Sequence, residues 1–229
     1  MLTQALLIYD TMRASVPTVV ESILGRIEPR TIDARLRRWG EDCLRHAGLS
    51  LDVRGADRID WTRSYVVMTN HQSYLDIPVI AAAVRGNLRF IAKKELFRIP
   101  VFGPAMLAAG IVRIDRQNRE SAIASLREAA EALRGGGHHV WIAPEGTRSL
   151  DGKLGPLKKG GFMLAADTGT PILPLAIDGT REAMRPKGGW KIRQGVTAKL
   201  TFGTPIETAE RSRDKLVEDV QGFLRATLV

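Results

Sequence analysis

Cysteine is almost missing from this 229-residue chain. Cys43 stands alone, which excludes an intrachain disulfide and any cysteine-based metal cluster and makes a reducing compartment the simplest setting. Aromatic residues are only 6% of the sequence and do not alternate with basic ones, which argues against a stacking platform for single-stranded nucleic acid. No apolar run reaches the roughly 18 residues needed to span a bilayer. Gln4, Asp10 and Arg13 interrupt the stretch that a signal peptide would need apolar. A membrane, if the chain meets one, is therefore something it lies on or dips into. Two familiar catalytic patterns are also lacking, since there is no Gly-x-Ser-x-Gly elbow and no Walker loop, and Gly135–Gly137 does not have dinucleotide spacing. The His138-His139 pair has no carboxylate or thiol company, so no metal is expected there.

What is present suits one domain with a good core. Hydrophobic residues make up 44% of the chain. Net charge is +9, mostly from arginine, a balance that favours polyanions, anionic headgroups or phosphorylated small molecules. Leu2, Leu6, Tyr9, Met12, Val16, Val20 and Ile23 recur near the helical period, with Pro17 expected to kink or divide the element. Ile32, Leu36, Trp39 and Cys43 form a second stripe, with Arg30, Arg35, Arg37, Arg38 and Arg45 on the other faces. Two readings follow for residues 1–48: amphipathic helices on a membrane surface, or helices packed on the protein's own core with a solvated basic face.

From Leu49 strands and helices alternate, the mark of an α/β fold with a mainly parallel or mixed sheet flanked by helices over residues 49–229. Strands are expected near Leu49–Arg54, Tyr65–Met68, Leu88–Ala92, Ile111–Ile114, Val140–Ile142, Ile172–Ile177 and Val196–Phe202. Helices are expected near Asp76–Val84, Val101–Ala109, Glu120–Arg134, Gly160–Thr168 and Arg213–Leu228, with Arg134-Gly-Gly-Gly137 closing the third.

The stretch Thr69–Asp76, TNHQSYLD, joins a buried strand to an apolar helix, the kind of turn at which ligands bind in open α/β sheets. Five helical steps would put His71 and Asp76 about 140° apart, so they meet only if His71 lies on the strand's exit and Asp76 in the helix's first turn. Such a pair is a base and its orienter: a neutral imidazole takes a proton, and the carboxylate fixes its tautomer and stabilises the imidazolium. The nucleophile is either Ser73 or a substrate hydroxyl. The same letters also fit a capping box, Ser73-x-x-Asp76, with His71 an ordinary loop residue. Two further turns gather phosphate-binding chemistry. Ile111–Arg116 carries Arg113 and Arg116, and Ala143–Ser149 offers Glu145, Gly146, Thr147, Arg148 and Ser149 within one turn. Arginine's planar fork suits phosphate, and glycine lets backbone N–H groups approach an anion. Lys93, Lys94, Lys158 and Lys159 add charge in neighbouring loops.

These blocks together resemble a family. Asn70–Asp76, Gly110–Arg116, Pro144–Ser149 and Thr170–Ala176 are similar, in order and approximate spacing, to the four motifs of the glycerolipid acyltransferases, in particular the bacterial 1-acyl-glycerol-3-phosphate type. Ile91–Phe97 and Ile99–Gly103 resemble the same group, and the likeness covers roughly Gly55 to Phe202. The resemblance implies that His71 deprotonates the acceptor hydroxyl with Asp76 as its partner. It implies that Arg116, Glu145, Gly146, Thr147 and Arg148 bind the glycerol phosphate, and that Pro174 serves acyl-donor binding or packing. It implies no cofactor, with acyl-CoA or acyl-acyl carrier protein as co-substrate and no acyl-enzyme, acting on a lysophospholipid at the cytoplasmic face of a membrane. Arg113 departs from the pattern, which usually has an aromatic or apolar residue there, so another acceptor (a lyso-ornithine lipid, glycerol-3-phosphate or an acylated dihydroxyacetone phosphate) stays open. So does a non-catalytic binder of anionic lipid or nucleic acid.

Overall fold

The computed structural model describes residues 2–115, 118–133 and 137–228. Two helices, α1 (Leu2–Ile23) and α2 (Pro29–Ala47), precede β1 (Leu49–Arg54) and β2 (Tyr65–Thr69). Then follow α3 (Asp76–Ala83), β3 (Asn87–Lys93), α4 (Phe102–Ala108), β4 (Val112–Ile114), α5 (Arg119–Ala132) and β5 (His138–Ile142). The chain continues through α6 (Gly160–Thr168), β6 (Ile172–Asp178), the short α7 (Thr180–Ala183), β7 (Val196–Phe202) and α8 (Arg213–Thr227). The expected Arg134 and the two glycines after it lie outside the described residues, as does Arg116.

The seven strands form one mixed sheet in the order β1-β7-β6-β2-β5-β3-β4. β6, β2, β5, β3 and β4 run parallel; β7 is antiparallel to β6 and carries β1 parallel to itself. The sequence distinguishes these settings. β2 lies in the middle with helices on both faces, and all five residues of Tyr-Val-Val-Met-Thr are buried. β7 buries Val196, Ala198, Leu200 and Phe202 and exposes Thr197 and Lys199, the alternation of a strand with one solvated face. Tyr65 and Val67 face a core shared with α2 and α3, including Cys43, Ala47, Val79 and Ile80. Val66 and Met68 face a second core under α5, α6 and α8, with Phe162, Leu216 and Val220.

α2 behaves as its stripe predicts on the core-packing reading: Ile32 and Cys43 are buried, and Arg30, Arg37, Arg38 and Arg45 stay outside, with Arg35 partly buried against α1. α1 does the reverse. Its inward residues include Asp10, Ser15 and Thr18, while Leu2, Tyr9, Val16, Val20 and Ile23 are exposed. Polar pairs hold it to α2: His46 Nδ1 meets Asp10 Oδ2 at 2.6 Å, Arg13 meets Asp42, and Arg35 donates to Thr18 Oγ1 and Glu21 Oε1 at 2.8 Å each. Burial alone would push the Asp42 carboxyl up. The hydrogen bond from Arg38 and the charges of Arg13 and Arg45 prevail and hold it below the usual range. Pro17 does not divide α1, which runs unbroken to Ile23, because the ties at Arg13 and at Thr18 and Glu21 hold the helix to α2 on either side of it. No helix among the described residues is long and apolar enough to cross a membrane.

Candidate active site

The parallel strands deliver their carboxyl ends to one rim, and the turn after β2 is pinned there from both sides. Asn70 extends the ladder with its side chain: Nδ2 donates to Ile177 O, and Oδ1 accepts from Ile177 N, both at 2.8 Å. From β5's side, His71 N donates to Glu145 Oε1 at 2.9 Å, and Ser149 N donates to His71 O at 2.8 Å. His71 therefore sits on a backbone clamped to both neighbouring strands.

Asp76 opens α3 and is fully buried. Its Oδ2 lies 2.7 Å from His71 Nδ1 and accepts the N–H groups of Gln72 and Ser73 at 2.7 and 2.9 Å. Its Oδ1 accepts from Thr180 Oγ1 at 2.5 Å. A carboxylate acceptor on Nδ1 puts the proton on that nitrogen and leaves Nε2 as the basic one. The indole of Trp141, from β5, meets the imidazole edge-on, centroids 5.6 Å apart at 83°, while its Nε1 donates to Thr69 Oγ1 at 3.0 Å. His71 keeps 14% side-chain exposure, enough to meet a ligand. Ser73 is not a nucleophile: its buried hydroxyl donates to Met184 O at 2.8 Å and accepts from Leu75 N at 3.2 Å.

The turn after β5 lies over this one. Glu145 was expected to contact substrate, but both its oxygens serve the backbone, Oε1 accepting from His71 N and Oε2 from Gly155 N at 2.9 Å. Gly146 has φ +71°, a conformation that favours glycine, and a Cβ there would come within 2.9 Å of Lys158 Nζ. Thr147 is exposed at the tip. Ser149 is likewise occupied inside its loop, its hydroxyl donating to Lys153 O at 2.8 Å. Arg148 lays its guanidinium over the Tyr74 ring, Cζ 3.5 Å from the centroid, and its Nη1 is buried without a hydrogen-bond partner. An unsatisfied cationic donor is costly, and this one lies against Tyr74, in the turn that carries His71.

The other predicted residues are not brought to that point. Lys93 ends β3, two strands away from β2, about 10 Å by strand spacing. Arg113 is exposed on the edge strand β4, about 14 Å away on the same count. Lys93, Lys94 and Lys159 pair with Glu95, Asp115 and Asp214, leaving Lys158, beside Gly146, without an ion pair among the described residues. Pro174 pairs with Met68 inside β6, on the face of α8, where it lines a hollow with Ile206 and Phe223. A proline is tolerated there because the ladder to β7 begins only at Leu175. Tyr74, Trp141 and Thr180 were not singled out from sequence. Tyr74 lay within the motif, but nothing local marks Thr180, 104 residues from its partner. No group that could hold a metal ion occurs among the described residues.

Residues 50–178 match the model of the Acyltransferase family, more than half of the chain. The chain belongs to that family. This acyltransferase is 34% identical over 176 residues to a chloroplastic 1-acyl-sn-glycerol-3-phosphate acyltransferase of Brassica napus, covering 74% of the chain and 50% of the relative. It is 38% identical over 130 residues to the human 1-acyl-sn-glycerol-3-phosphate acyltransferase alpha, covering 57% of the chain and 46% of the relative. The chain spans about half the length of the curated relatives it matches. The crystal structure of the 1-acyl-sn-glycerophosphate acyltransferase PlsC of Thermotoga maritima superposes with a TM-score of 0.80 at 29% identity, over 99% of this chain and 94% of that one. The family match encloses both turns that build the site, whereas α1, α2, β7 and α8 of the acyltransferase lie outside it.

Proposed function

We propose that this chain transfers an acyl group from a thioester, acyl-CoA or acyl-acyl carrier protein, to the free hydroxyl of 1-acyl-glycerol-3-phosphate, giving phosphatidic acid. The observation that carries this reading is the His71–Asp76 contact of 2.7 Å at the rim, beside Arg148, whose Nη1 is buried without a hydrogen-bond partner. His71 Nε2 takes the proton of the acceptor hydroxyl as its oxygen attacks the thioester carbonyl. The tetrahedral intermediate then expels the thiolate, which receives the proton back from the imidazolium. General-base assistance is worth about 10²–10⁴-fold, and the rest comes from holding the two reactants in register. Arg148, stacked on Tyr74, takes the acceptor's phosphate, with Lys158 as neighbouring charge. Arg116, outside the described residues, is proposed to share that role on the resemblance alone. Lys93 and Arg113 would then act on more distant parts of either substrate.

The outward stripe of α1 supports the second half of the proposal, a protein held at the cytoplasmic face of a membrane without crossing it. Leu2, Tyr9, Val16, Val20 and Ile23 expose between 45% and 78% of their surface along one side of the helix. The test of the chemistry is transfer of labelled acyl groups to lysophosphatidic acid by purified protein and by His71→Ala. The variant should lose turnover by at least about a hundredfold with its thermal midpoint unchanged. Retained turnover would remove His71 as the base.

A further inference from the structure

The connection from α7 to β7 carries charge of one sign only. Arg185, Lys187, Lys191 and Arg193 are all exposed, none is in an ion pair among the described residues, and no acidic residue occurs from Ala183 to Val196. Amid them Trp190 is 57% exposed. With Leu2 of α1, itself exposed, it makes an apolar spot rimmed by charge, which is the pattern of a membrane or partner contact rather than of a single surface residue. The loop is also ordered by specific bonds. Arg193 N donates to Ala183 O at 2.8 Å, closing it at the base. Gln4 Nε2 donates to Trp190 O at 2.6 Å, and Gln194 Nε2 to Thr3 Oγ1 at 3.3 Å. These bonds fasten it beside Leu2, the first residue of α1's outward stripe and itself 75% exposed. At its other end Met184 O accepts from Ser73 Oγ, inside the turn that carries His71.

We propose that residues 185–193 form a second foot on the bilayer, specific for anionic lipid. Trp190 seats at the boundary of headgroups and acyl chains, and the four cations lie on lipid phosphates. The proposal rests on the membrane reading above and deepens it. α1 supplies apolar area, which any bilayer satisfies; the loop supplies charge, which only an anionic one does. Because the loop is bonded to α1's first turn and to the Ser73 turn, seating it brings the catalytic rim to the lipid surface. The apolar pair Trp190 and Leu2 favours a bilayer over an acidic protein as the occupant.

The test is co-sedimentation of the full chain with phosphatidylcholine vesicles and with vesicles containing about one-third phosphatidylglycerol. Parent protein is compared with a quadruple variant (Arg185→Gln, Lys187→Gln, Lys191→Gln, Arg193→Gln), with Trp190→Ala, and with a stripe variant (Val16→Asn, Val20→Asn). Each cation at an anionic surface contributes roughly fivefold, so the quadruple variant should bind anionic vesicles at least about a hundredfold more weakly and phosphatidylcholine as the parent does. Trp190→Ala should weaken both. Turnover of a short-chain, monomeric acceptor should be unchanged in every loop variant, which also reports that they fold. If the quadruple variant binds anionic vesicles like the parent while the stripe variant does not, the loop foot is refuted and the membrane reading survives. A parent protein that binds neither vesicle removes both. Loop variants that keep vesicle binding but lose turnover only with acyl carrier protein as donor would assign the cations to that acidic partner and overturn the proposal.

Discussion

Among the described residues, the Thr180 hydroxyl is the one hydrogen-bond donor to the Asp76 carboxylate from outside its own turn, and removing it tests whether that bond serves catalysis or only packing. Thr180→Val keeps the shape and deletes the donor at 2.5 Å from Oδ1, in a place where both residues are fully buried. A hydrogen bond to a charged group contributes about 1.5–3 kcal/mol. Oδ2 keeps the imidazole and the Gln72 and Ser73 N–H groups, so the pair survives with one oxygen unsatisfied. Outer partners that orient metal-bound histidines are worth about 10–100-fold, and the same range is expected here in kcat, with KM for both substrates little changed. The split between kcat and KM is the diagnostic. Thr180→Ser restores the donor and should restore kcat. A valine variant with parental kcat, or a serine variant as damaged as valine, would show that Thr180 only packs.

Arg148→Ala should raise KM for the phosphorylated acceptor by about tenfold or more, in line with a charge-assisted contact of about 1.5–3 kcal/mol, and leave KM for the acyl donor alone; the reverse split would move the phosphate elsewhere. Glu145→Gln places an amide N–H₂ opposite either His71 N–H or Gly155 N–H and should destabilise the fold by about 1–3 kcal/mol in urea titration while lowering kcat, because the same group positions His71. His139, buried at the opposite rim against Tyr65 and Trp61, has its imidazole pushed down to about 4 from 6.5 by burial, with the charge of His138 adding. The unfolded chain therefore takes up a proton below pH 6.5 that the folded chain refuses. Stability fully present above that pH is lost as pH falls toward 4, by about 3 kcal/mol. His139→Phe should flatten this part of the stability profile, and an unaltered acid loss in urea melts at pH 7 and 4.5 would refute the assignment.

The strands were legible because their surroundings write distinct patterns, a continuous apolar run in β2 and strict alternation in β7. Orientation was harder. A stripe on α1 says that one face is apolar but not which face finds a protein partner. There the inward face is won by Asp10 and by ties to Arg13 and Glu21, through partners on α2 that no local window contains. Charge in a loop was a poor guide for the same reason, since three of the four lysines near the site turned out to be paired. At the site itself the capping and catalytic readings of Ser73-x-x-Asp76 look like rivals in sequence and are one arrangement in space. Asp76 Oδ2 accepts the Ser73 N–H, as a capping carboxylate does, and the same oxygen meets His71 Nδ1. The first bond makes the second effective. A carboxylate already fixed by backbone donors and by Thr180 has no rotamer freedom left to lose when it holds the imidazole. Polar satisfaction of a helix start is therefore also what sets the tautomer of the base.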